Sequence, residues 1–552
     1  MLKRVSRFFS KSGQNKFLLI IAGAVTWSIT MVKSGWLYDY GLGFWGANGH
    51  DGIWHIALAE SLSGGNLTIP IFASSVIQNY HIGYDVLLAL LHKITFVPVS
   101  TLYFQIIPPV LALLVGLLTY KFVDEWTGSK KAAFWSTFFI YFGGGLGFIV
   151  GKGESAFWSQ QSVSTLINPP FALSLVLILV GMTLLLKLDK KFSFWNLIAI
   201  TLCFGTLIEI KVYAGLLVLG GLCIAGIYSV LVNRKLTLIK VFLGSLLMSL
   251  ILYIPLNKSS SGLIVWQPFW FLEQMMGDRL SWQRFYSAMM TYKSGHIFTK
   301  EIAAYSIAFI IFLVGNLGTR LIFLFRRVKA DFMQIFIYSI ILAGITIPTF
   351  FLQKGTSWNT IQFFYYSLFF MGLLAGVVMS NIKSKFMIVC LCLLTIPTTI
   401  ITLKDVYIPG RPPAMLSKME ISALDLLSRL SPGVILTYPF DQNMADGAIS
   451  TPPRPLYLYT STSYVSAFSK HQVFLEDEIN LDITNYPWQE RKNAVSAWYK
   501  ETDVGRAKAF LKDNSIKYIY LLNDQNTVLT TRELGLKQIY NNPSVTIYQV
   551  EE

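Results

Sequence analysis

Cysteine and charge are scarce in this 552-residue sequence, and the signatures of several common enzyme classes are missing. Only 14% of the residues are charged, and there are six histidines and four cysteines. The cysteines, Cys203, Cys223, Cys390 and Cys392, lie in apolar segments, so they provide neither a disulfide framework nor zinc-ligand spacing. The sequence has no P-loop, no Gly-x-Ser-x-Gly elbow, no His-Glu-x-x-His motif and no dinucleotide fingerprint after a strand.

Acidic residues are scarce mainly in one part of the chain. The net charge is +15, yet residues 1–405 carry 31 Lys and Arg against 14 Asp and Glu, whereas residues 406–552 carry 14 against 16. The positive excess therefore lies in the apolar part, where basic residues set the orientation of membrane spans. We expect no nucleic-acid partner.

Long hydrophobic runs are what the sequence has in abundance. It is 53% hydrophobic with a mean hydropathy of +0.52, which is typical of a polytopic membrane protein. The basic N-terminus lacks a small-residue cleavage site, which indicates a retained first span. Length and apolarity predict about eleven spans, at roughly 17–33, 102–122, 132–150, 169–187, 194–209, 211–232, 236–256, 301–323, 331–352, 357–380 and 385–403.

The distribution of basic residues predicts the topology. If the N-terminus is cytoplasmic, 20 of the 31 basic residues of the apolar part fall in the N-terminal tail and five short inside loops. Three long outer connections then follow, at 34–101, 151–168 and 257–300. Long segments on one face indicate that the function is located there. The third connection is rich in Trp and Phe, which suits either an interfacial aromatic belt or a lid touching a lipid substrate.

The C-terminal residues have the composition of an ordinary soluble domain. Residues 418–430, 488–499 and 504–513 show helix patterns, and 434–440, 516–522 and 545–550 show strand patterns. The predicted fold class is therefore a polytopic α-helical membrane protein. A transmembrane domain is expected over 1–405 and an extracytoplasmic soluble α/β domain over 406–552.

An acid and two histidines stand at the start of the first outer connection. A short helix is predicted from Asp51 to about residue 63, and its i, i+4 spacing places Asp51 and His55 on one face, after His50. One interpretation is a helix N-cap with a satisfied interfacial histidine. The other is a general base that deprotonates an acceptor hydroxyl, with His55 orienting it, helping to bind a metal or contacting phosphate, and with His50 lining the cavity.

Glu154 is the candidate second acid, in the second outer connection. It suits either a solvated loop charge or a carboxylate facing the same cavity as Asp51. Two carboxylates from different loops could share Mg²⁺ or Mn²⁺, whose preferred ligands are oxygens and which would neutralise a phosphate leaving group.

Glu209 and Lys211 lie between two apolar runs, where neither charge can face lipid cheaply. They suit a salt bridge at the interface, or a lysine that points into a cavity and binds a lipid phosphate, with Glu209 and Tyr213 lining that cavity. We expect Asp51, Glu154 and Lys211 to converge on one outward-opening cavity.

Further polar groups flank the tenth predicted span. Asn359, Gln362 and Tyr366 lie on one helical stripe, as either helix–helix contacts or substrate contacts. Arg279 in the third connection and Lys354 before the tenth span add cations that could hold a prenyl-linked phosphate or pyrophosphate.

Taken together, this pattern resembles the GT-C superfamily of polytopic glycosyltransferases. The likeness rests on one span, a long outer loop opening with an Asp, many further spans and a C-terminal α/β domain, and on residues 50–55, 211–215 and 359–363. The superfamily includes protein mannosyltransferases, oligosaccharyltransferase catalytic subunits and lipid A aminoarabinose transferases. The sequence is most similar to uncharacterised integral membrane glycosyltransferases of bacteria.

The resemblance implies a polyprenyl-phosphate-linked sugar donor and a location in the bacterial inner membrane. It assigns the family's catalytic aspartate to Asp51 and its second-loop acid to Glu154. Many members carry a paired acidic dipeptide in the first loop, whereas Gly52 follows Asp51 here. This departure leaves His55 as a possible substitute in a shared-metal arrangement.

The sequence therefore predicts an inverting glycosyltransferase that uses a lipid-linked donor and an unknown glycan, lipid or protein acceptor. A transporter or flippase of lipid-linked glycans is the first alternative, and it predicts charges spread through midplane helices and internal repeats. A non-catalytic envelope scaffold is the second, and it gives the Asp51 helix no role.

Overall fold

The computed structural model describes residues 11–257, 264–326, 331–353, 357–525 and 534–551. The chain divides into two units. One, the helical unit, comprises residues within Met1–Thr30, Ile107–Pro255 and Gly262–Ile408. The other, the α/β unit, comprises residues within Met31–Ile106, Leu256–Ser261 and Pro409–Glu552. The division into a transmembrane domain before residue 406 and an extracytoplasmic domain after residue 405 stays a prediction.

The described residues contain ten helices that are long and apolar enough to cross a membrane. This confirms the prediction of a multi-pass membrane protein. They are Asn15–Val32, Val99–Thr127, Lys130–Val150, Pro169–Lys190, Val212–Asn233, Thr237–Leu256, Phe298–Phe325, Phe332–Phe350, Trp358–Met379 and Lys385–Tyr407.

The fifth predicted span, at 194–209, is a shorter apolar helix, Phe194–Ile210. It is interrupted, since the helix Phe194–Gly205 is followed by the separate turn Leu207–Ile210. Lys211 then has extended backbone, with φ of −159°, before the next helix begins at Val212. The polar Glu209 and Lys211 thus fall at a break between helices rather than inside one long helix.

Close backbone approach holds the helical unit together in places where only glycine fits. A Cβ on Gly376, in the helix Ser357–Met379, would lie 2.1 Å from the backbone nitrogen of Ser136, in the helix Lys130–Phe142. The outer connections add the helices Trp270–Gln274 and Gln283–Ser294, and a two-stranded antiparallel sheet of Ile264–Trp266 and Phe351–Gln353.

The α/β unit contains two sheets. The order in the larger sheet is Leu536–Asn541, Val545–Val550, Ile516–Leu522, Val434–Thr437 and Gln472–Val473. The order in the smaller sheet is Leu37–Tyr38, Gly41–Phe44, Ala414–Ser417 and Arg454–Pro455. The predicted strands at 516–522 and 545–550 are observed at those bounds, and the strand predicted at 434–440 ends at Thr437.

The smaller sheet builds residues from the first long connection into the same unit as the C-terminal residues. Gly41–Phe44 pairs antiparallel with Ala414–Ser417, with Gly41 opposite Ser417. The hydrophobic core of the unit also combines both parts of the chain, because Trp54, Leu58 and Ile71 pack in one cluster with Leu436 and Ile519.

Helices complete the α/β unit and match the predicted ones closely. The Asp51 helix runs from Asp51 to Ser63, and an amphipathic helix follows at Gly83–Thr95. A capping box of Ser417 and Glu420 begins the helix that was predicted at 418–430. The later helices of the unit are Lys418–Ser428, Gln442–Gly447, Tyr464–Ser469, Glu478–Ile483, Trp488–Trp498 and Val504–Asp513.

Candidate active site

Asp51 opens its helix as a half-exposed carboxylate. It is the first helical residue, and His50 occupies the N-cap position without a side-chain cap bond. The His50 Nδ1 lies 2.9 Å from the Asp51 Oδ1, and the Asp51 side chain is 48% exposed. His50 therefore orients the Asp51 carboxylate, which is also accessible to solvent. A general base requires both properties.

His50 carries a shifted pKa that reflects this pairing. Burial alone would lower the pKa of His50, but the adjacent Asp51 carboxylate, with a further contribution from Asp477, raises it above the usual 6.5. A raised pKa favours the protonated ring, so that His50 donates its Nδ1 proton to Asp51 as a charge-assisted hydrogen bond.

Asp477 is a second acid near this pair, and sequence reasoning missed it. It is buried, has a left-handed backbone, and caps the helix Glu478–Ile483 by accepting from the backbone nitrogen and side-chain amide of Asn480. Burial raises the pKa of Asp477 to about 7, and the charges of both His50 and Asp51 act on it. The available signal was the acidic run at 476–478 directly after a strand.

Glu476 points to the start of another helix. It accepts hydrogen bonds from the backbone nitrogens of Val465 at 2.7 Å and Ser466 at 3.1 Å, where the helix Tyr464–Ser469 begins. Burial raises the pKa of Glu476 to about 8 despite these donors. Since its two donors are fixed backbone groups, Glu476 is a rigid carboxylate.

His55 is not exposed beside Asp51 but lies in the interior of the α/β unit. Its Nδ1 is 2.7 Å from Asp85 Oδ1, and the two side chains are 3% and 0% exposed. The rings of Tyr84 and Tyr103 lie 5.8 Å and 5.7 Å from the imidazole. This buried pair fits a structural histidine better than a phosphate or metal contact, and the catalytic role of His55 stays a prediction.

Glu154, in the helical unit, is held by its own loop. Its Oε2 accepts from the backbone nitrogen of Gln161 at 2.8 Å and its Oε1 accepts from the Ser164 hydroxyl at 2.5 Å. Burial raises the pKa of Glu154 to about 7, while these bonds act in the opposite direction. The network continues to Arg320, since Gln161 accepts from that buried guanidinium. The arrangement favours a structural carboxylate, and a catalytic or metal-binding role for Glu154 stays a prediction.

Glu209 and Lys211 are buried at the helix break, with 8% and 4% exposure. The Lys211 ammonium lies 5.4 Å from the ring centroid of Tyr213, whose hydroxyl donates to Gln353 at 3.0 Å. The structure therefore brings together Lys211, Tyr213 and the segment that precedes the tenth predicted span.

Arg279 lies against a pair of tryptophans that the sequence analysis did not single out. The Trp158 and Trp358 rings are stacked with centroids 4.7 Å apart, and the Arg279 guanidinium lies 5.2 Å from each centroid. Lys152 donates to the carbonyl of Arg279. These contacts join the second and third outer connections in one cationic, aromatic cluster, while Lys354 lies outside the described residues.

The stripe on the tenth predicted span has mixed roles. Gln362 donates to Asn359 at 3.3 Å, and both are partly exposed. Tyr366 is buried, and its hydroxyl is 2.7 Å from the Ser174 hydroxyl of a neighbouring helix. Tyr366 thus joins two helices, and Asn359 directly follows Trp358 of the Arg279 cluster.

The described residues do not supply a metal centre. None of the His, Cys, Asp and Glu side chains within those ranges forms a group of three or more that could hold a metal ion. Asp51 is bonded to His50, and both oxygens of Glu154 accept from its own loop. A Mg²⁺ or Mn²⁺ ion held by Asp51 and Glu154 stays a prediction, and we assign no step to a metal.

Comparisons with known proteins give matches in structure alone. No protein-family model and no curated protein sequence matches the chain. Among solved structures, the arabinofuranosyltransferase AftD from Mycobacteria is similar, with a TM-score of 0.51, 12% identity and coverage of 97% of this chain and 42% of that one.

Two other similar structures are more distant in overall geometry. The oligosaccharyltransferase AglB from Archaeoglobus fulgidus, in complex with an inhibitory peptide and a dolichol-phosphate, has a TM-score of 0.48 and 12% identity, with 92% of this chain and 69% of that one covered. ArnT from Cupriavidus metallidurans, bound to undecaprenyl phosphate, has a TM-score of 0.40 and 12% identity, with 98% of each chain covered.

The likeness to the arabinofuranosyltransferase confirms the predicted GT-C fold. At this identity the likeness concerns the fold and not the chemistry. The site residues must therefore be argued from their own geometry.

Proposed function

We propose that this protein is a membrane glycosyltransferase that moves a sugar from a polyprenyl-phosphate-linked donor to an acceptor hydroxyl or amide outside the cytoplasm. The shared fold with an arabinofuranosyltransferase supports sugar transfer. The ten apolar helices support a donor that is itself anchored in the bilayer. The acceptor is a glycan, a lipid or a protein.

The observation that carries this proposal is the half-exposed Asp51 with His50 beside it. A carboxylate used only as a fold-stabilising group typically accepts hydrogen bonds within the protein on both oxygens, as Glu154 does. Asp51 instead combines 48% exposure with a 2.9 Å bond from His50. That combination leaves carboxylate surface for an acceptor while fixing its orientation.

In the proposed step, Asp51 takes the proton of the acceptor as the acceptor oxygen or nitrogen attacks the anomeric carbon. The new glycosidic bond forms while the bond from that carbon to the phosphate oxygen breaks, and the electron pair leaves with the polyprenyl phosphate. Attack opposite the leaving group inverts the configuration. The phosphate is a good leaving group, so a second carboxylate acting as general acid is not required, in contrast to glycoside hydrolysis.

Cations of the helical unit are proposed to bind the donor phosphate. Arg279 on its two tryptophans provides a planar, permanently charged donor, which suits phosphate. Lys211 beside Tyr213 is the second candidate, because a buried ammonium at a helix break favours an anionic partner. Lys354 completes the proposed set as an expectation from the sequence, and Glu209, Asn359 and Gln362 are proposed to line the substrate cavity.

The proposed orientation follows the charge pattern. A cytoplasmic N-terminus places the connection that carries Asp51, together with the C-terminal residues, outside the cytoplasm. For a bacterial protein this location is the outer side of the inner membrane. The orientation is tested with the single replacements Asp39→Cys, in the connection that carries Asp51, and Lys191→Cys, in a short loop expected inside. Labelling of each cysteine is measured from the two sides of the membrane.

The transfer reaction itself is the decisive test. Purified full-length protein in lipid nanodiscs is given undecaprenyl phosphate carrying mannose, glucose, galactose or arabinose, with cell-envelope extract as the acceptor source. Release of undecaprenyl phosphate and sugar incorporation are measured by mass spectrometry. We expect Asp51→Asn to lower the rate about 100-fold or more, in the range for loss of a general base.

The matched control is Asp39→Asn, which changes an exposed acid of the same connection in the same way. We expect that variant to keep its rate. Full activity in Asp51→Asn would exclude Asp51 as the base. ATP-independent movement of the intact donor across the bilayer without sugar transfer would favour a flippase instead.

A further inference from the structure

A second candidate site lies within the α/β unit, in a cleft that the proposed reaction does not use directly. The cleft is partly open to solvent, and the strand end at Thr437 and the segments that follow it form one side. Aromatic side chains line much of it, including Tyr438, Phe440, Tyr457 and Tyr459.

Acidic groups provide the polar part of the cleft. Asp441, Glu476, Asp477 and Glu478 line it, and none of the described lining residues is basic. An anionic ligand is therefore disfavoured by the field of the cleft. Carboxylates accept hydrogen bonds, and Glu476 and Asp477, whose pKa values burial raises, also donate when protonated. The lining therefore suits a ligand rich in hydroxyl groups, which both donate and accept.

These carboxylates are fixed in place before any ligand arrives. Glu476 accepts from two backbone nitrogens, and Asp477 accepts twice from Asn480. Asp441 accepts from the backbone nitrogens of residues 443 and 444. A ligand that binds them need not immobilise flexible acids, which lowers the entropic cost of binding.

A buried hydroxyl gives an independent sign of a ligand. Thr462 lines the cleft and is only 5% exposed, yet its Oγ1 has no hydrogen-bond partner among the described residues. An unpartnered buried hydroxyl costs free energy unless something else bonds to it. A molecule in the cleft would supply the missing partner.

We propose that this cleft binds a neutral carbohydrate, with sugar rings packing on the tyrosine and phenylalanine faces and sugar hydroxyls donating to the carboxylates. Aromatic rings offer flat apolar surface with a polar edge, which matches the two-sided character of a sugar ring. Thr462 would bond to one of the sugar hydroxyls.

The location of Asp477 gives this cleft a role in the reaction. Tyr464 and Val465 line the cleft, and their helix, Tyr464–Ser469, packs against the helix that begins at Asp51. Asp477 also lines the cleft, and the charges of His50 and Asp51 act on it. We therefore assign the cleft to the acceptor glycan, a step that rests on the proposed function. Asp51 is not part of the cleft lining.

The test measures binding without a donor. Full-length protein in nanodiscs is titrated by calorimetry with maltotriose, mannotriose and arabinotriose as neutral probes. A glucosamine trimer is the cationic probe and trigalacturonate the anionic one. We expect millimolar or tighter binding of at least one neutral probe and none of trigalacturonate.

Two variants locate the binding. We expect Phe440→Ala and Thr462→Val each to weaken the neutral probe about fivefold or more, the first by loss of a packing face and the second by loss of one hydrogen bond. The control Thr101→Val makes the same change at a partly buried threonine of the same unit outside the cleft. It should leave the affinity unchanged. Thermal unfolding of each variant establishes that it is folded.

Several results would overturn the inference. Absence of neutral binding, or unchanged affinity in folded Phe440→Ala and Thr462→Val, would exclude a carbohydrate cleft. Tighter binding of the glucosamine trimer than of every neutral probe would show that the cleft binds cations rather than neutral carbohydrate. Asp51→Asn should keep its carbohydrate affinity while losing transfer, so failure of the cleft and failure of the proposed base give different patterns.

Discussion

Two acidic side chains, one in each unit of the protein, occupy opposite environments. Asp51 in the α/β unit is half exposed and has a histidine at 2.9 Å. Glu154 in the helical unit is partly buried, and each of its oxygens accepts from its own loop. From the sequence both were candidates for the same catalytic centre.

The difference shows how hydrogen bonds within a loop can occupy both oxygens of a carboxylate. Glu154 stabilises the turn between two helices and is linked through Gln161 to the buried Arg320. Its bonding capacity is largely used inside the protein. Asp51 stands at a helix start with surface remaining for another molecule, so the comparison favours Asp51 as the reactive group and Glu154 as a structural one.

The largest effect expected from this comparison is on stability, at Glu154. Glu154→Gln places an amide where two donors now meet a carboxylate, which should cost about 1–3 kcal/mol of unfolding free energy. Thermal unfolding of the purified protein measures the change. Transfer activity of the protein that remains folded should stay near wild type.

Glu125→Gln, an acid in a helix of the same unit for which the structure records no ion pair, is a suitable control and should leave the melting temperature unchanged. If Glu154→Gln instead abolished transfer at unchanged stability, Glu154 would rejoin Asp51 as a catalytic candidate.

A smaller effect is expected when the partner of Asp51 is removed. His50→Ala should lower the transfer rate about tenfold, because the carboxylate loses the group that orients it, and tenfold corresponds to about 1.4 kcal/mol. His50→Asn, which can still offer a side-chain N–H near the position of Nδ1, should recover part of the rate. The pH dependence of the rate should also lose the part that titration of His50 causes. A purely structural role of His50 would not produce this loss. Equal rates in His50→Ala and wild type would contradict the proposal that His50 orients Asp51.

A few-fold effect is expected at Arg279. Arg279→Gln removes the cation from the tryptophan pair and should raise the KM for the lipid-linked donor about threefold to tenfold while kcat changes little. Arg284→Gln, a more exposed arginine of the same connection, is the matched control. A fall in kcat alone, at constant KM, would argue against a donor-binding role.

A further expected effect is a slope in stability with pH. Burial raises the pKa of Glu154 and Asp477 to about 7 and of Glu476 to about 8, from usual values of 4.5, 3.8 and 4.5. Between the usual and the raised values the folded state holds more protons than the unfolded state, so stability falls as pH rises. The raised pKa of His50 acts in the same direction, since its stabilisation is lost as pH rises through the folded value.

Melting temperatures measured from pH 5 to pH 8 should therefore decrease, and Glu476→Gln should flatten the slope. A melting temperature that rises over this interval would show that the buried acids are paired more strongly than their geometry indicates.

Local patterns were enough to predict much of the fold. The helix that begins at Asp51, the helix Val504–Asp513 and the strand Ile516–Leu522 follow from periodicity and capping over a dozen residues or fewer. The span prediction at 194–209 was less complete, because apolarity does not reveal that the helix breaks at residues 206 and 211. That break depends on how Glu209 and Lys211 are accommodated.

The sequence by itself determined that this is a many-helix membrane protein with an α/β C-terminal part, and it placed an acid with histidines at the opening of the first long connection. Only the tertiary structure decided that His55 pairs with Asp85, that Asp477 lies near His50, and that Glu154 is enclosed by its loop. The physical reason is separation along the chain. The charges of Asp51 and Asp477 interact because Gly41–Phe44 pairs with Ala414–Ser417 and one core holds both parts of the chain, and no local periodicity records such a pairing.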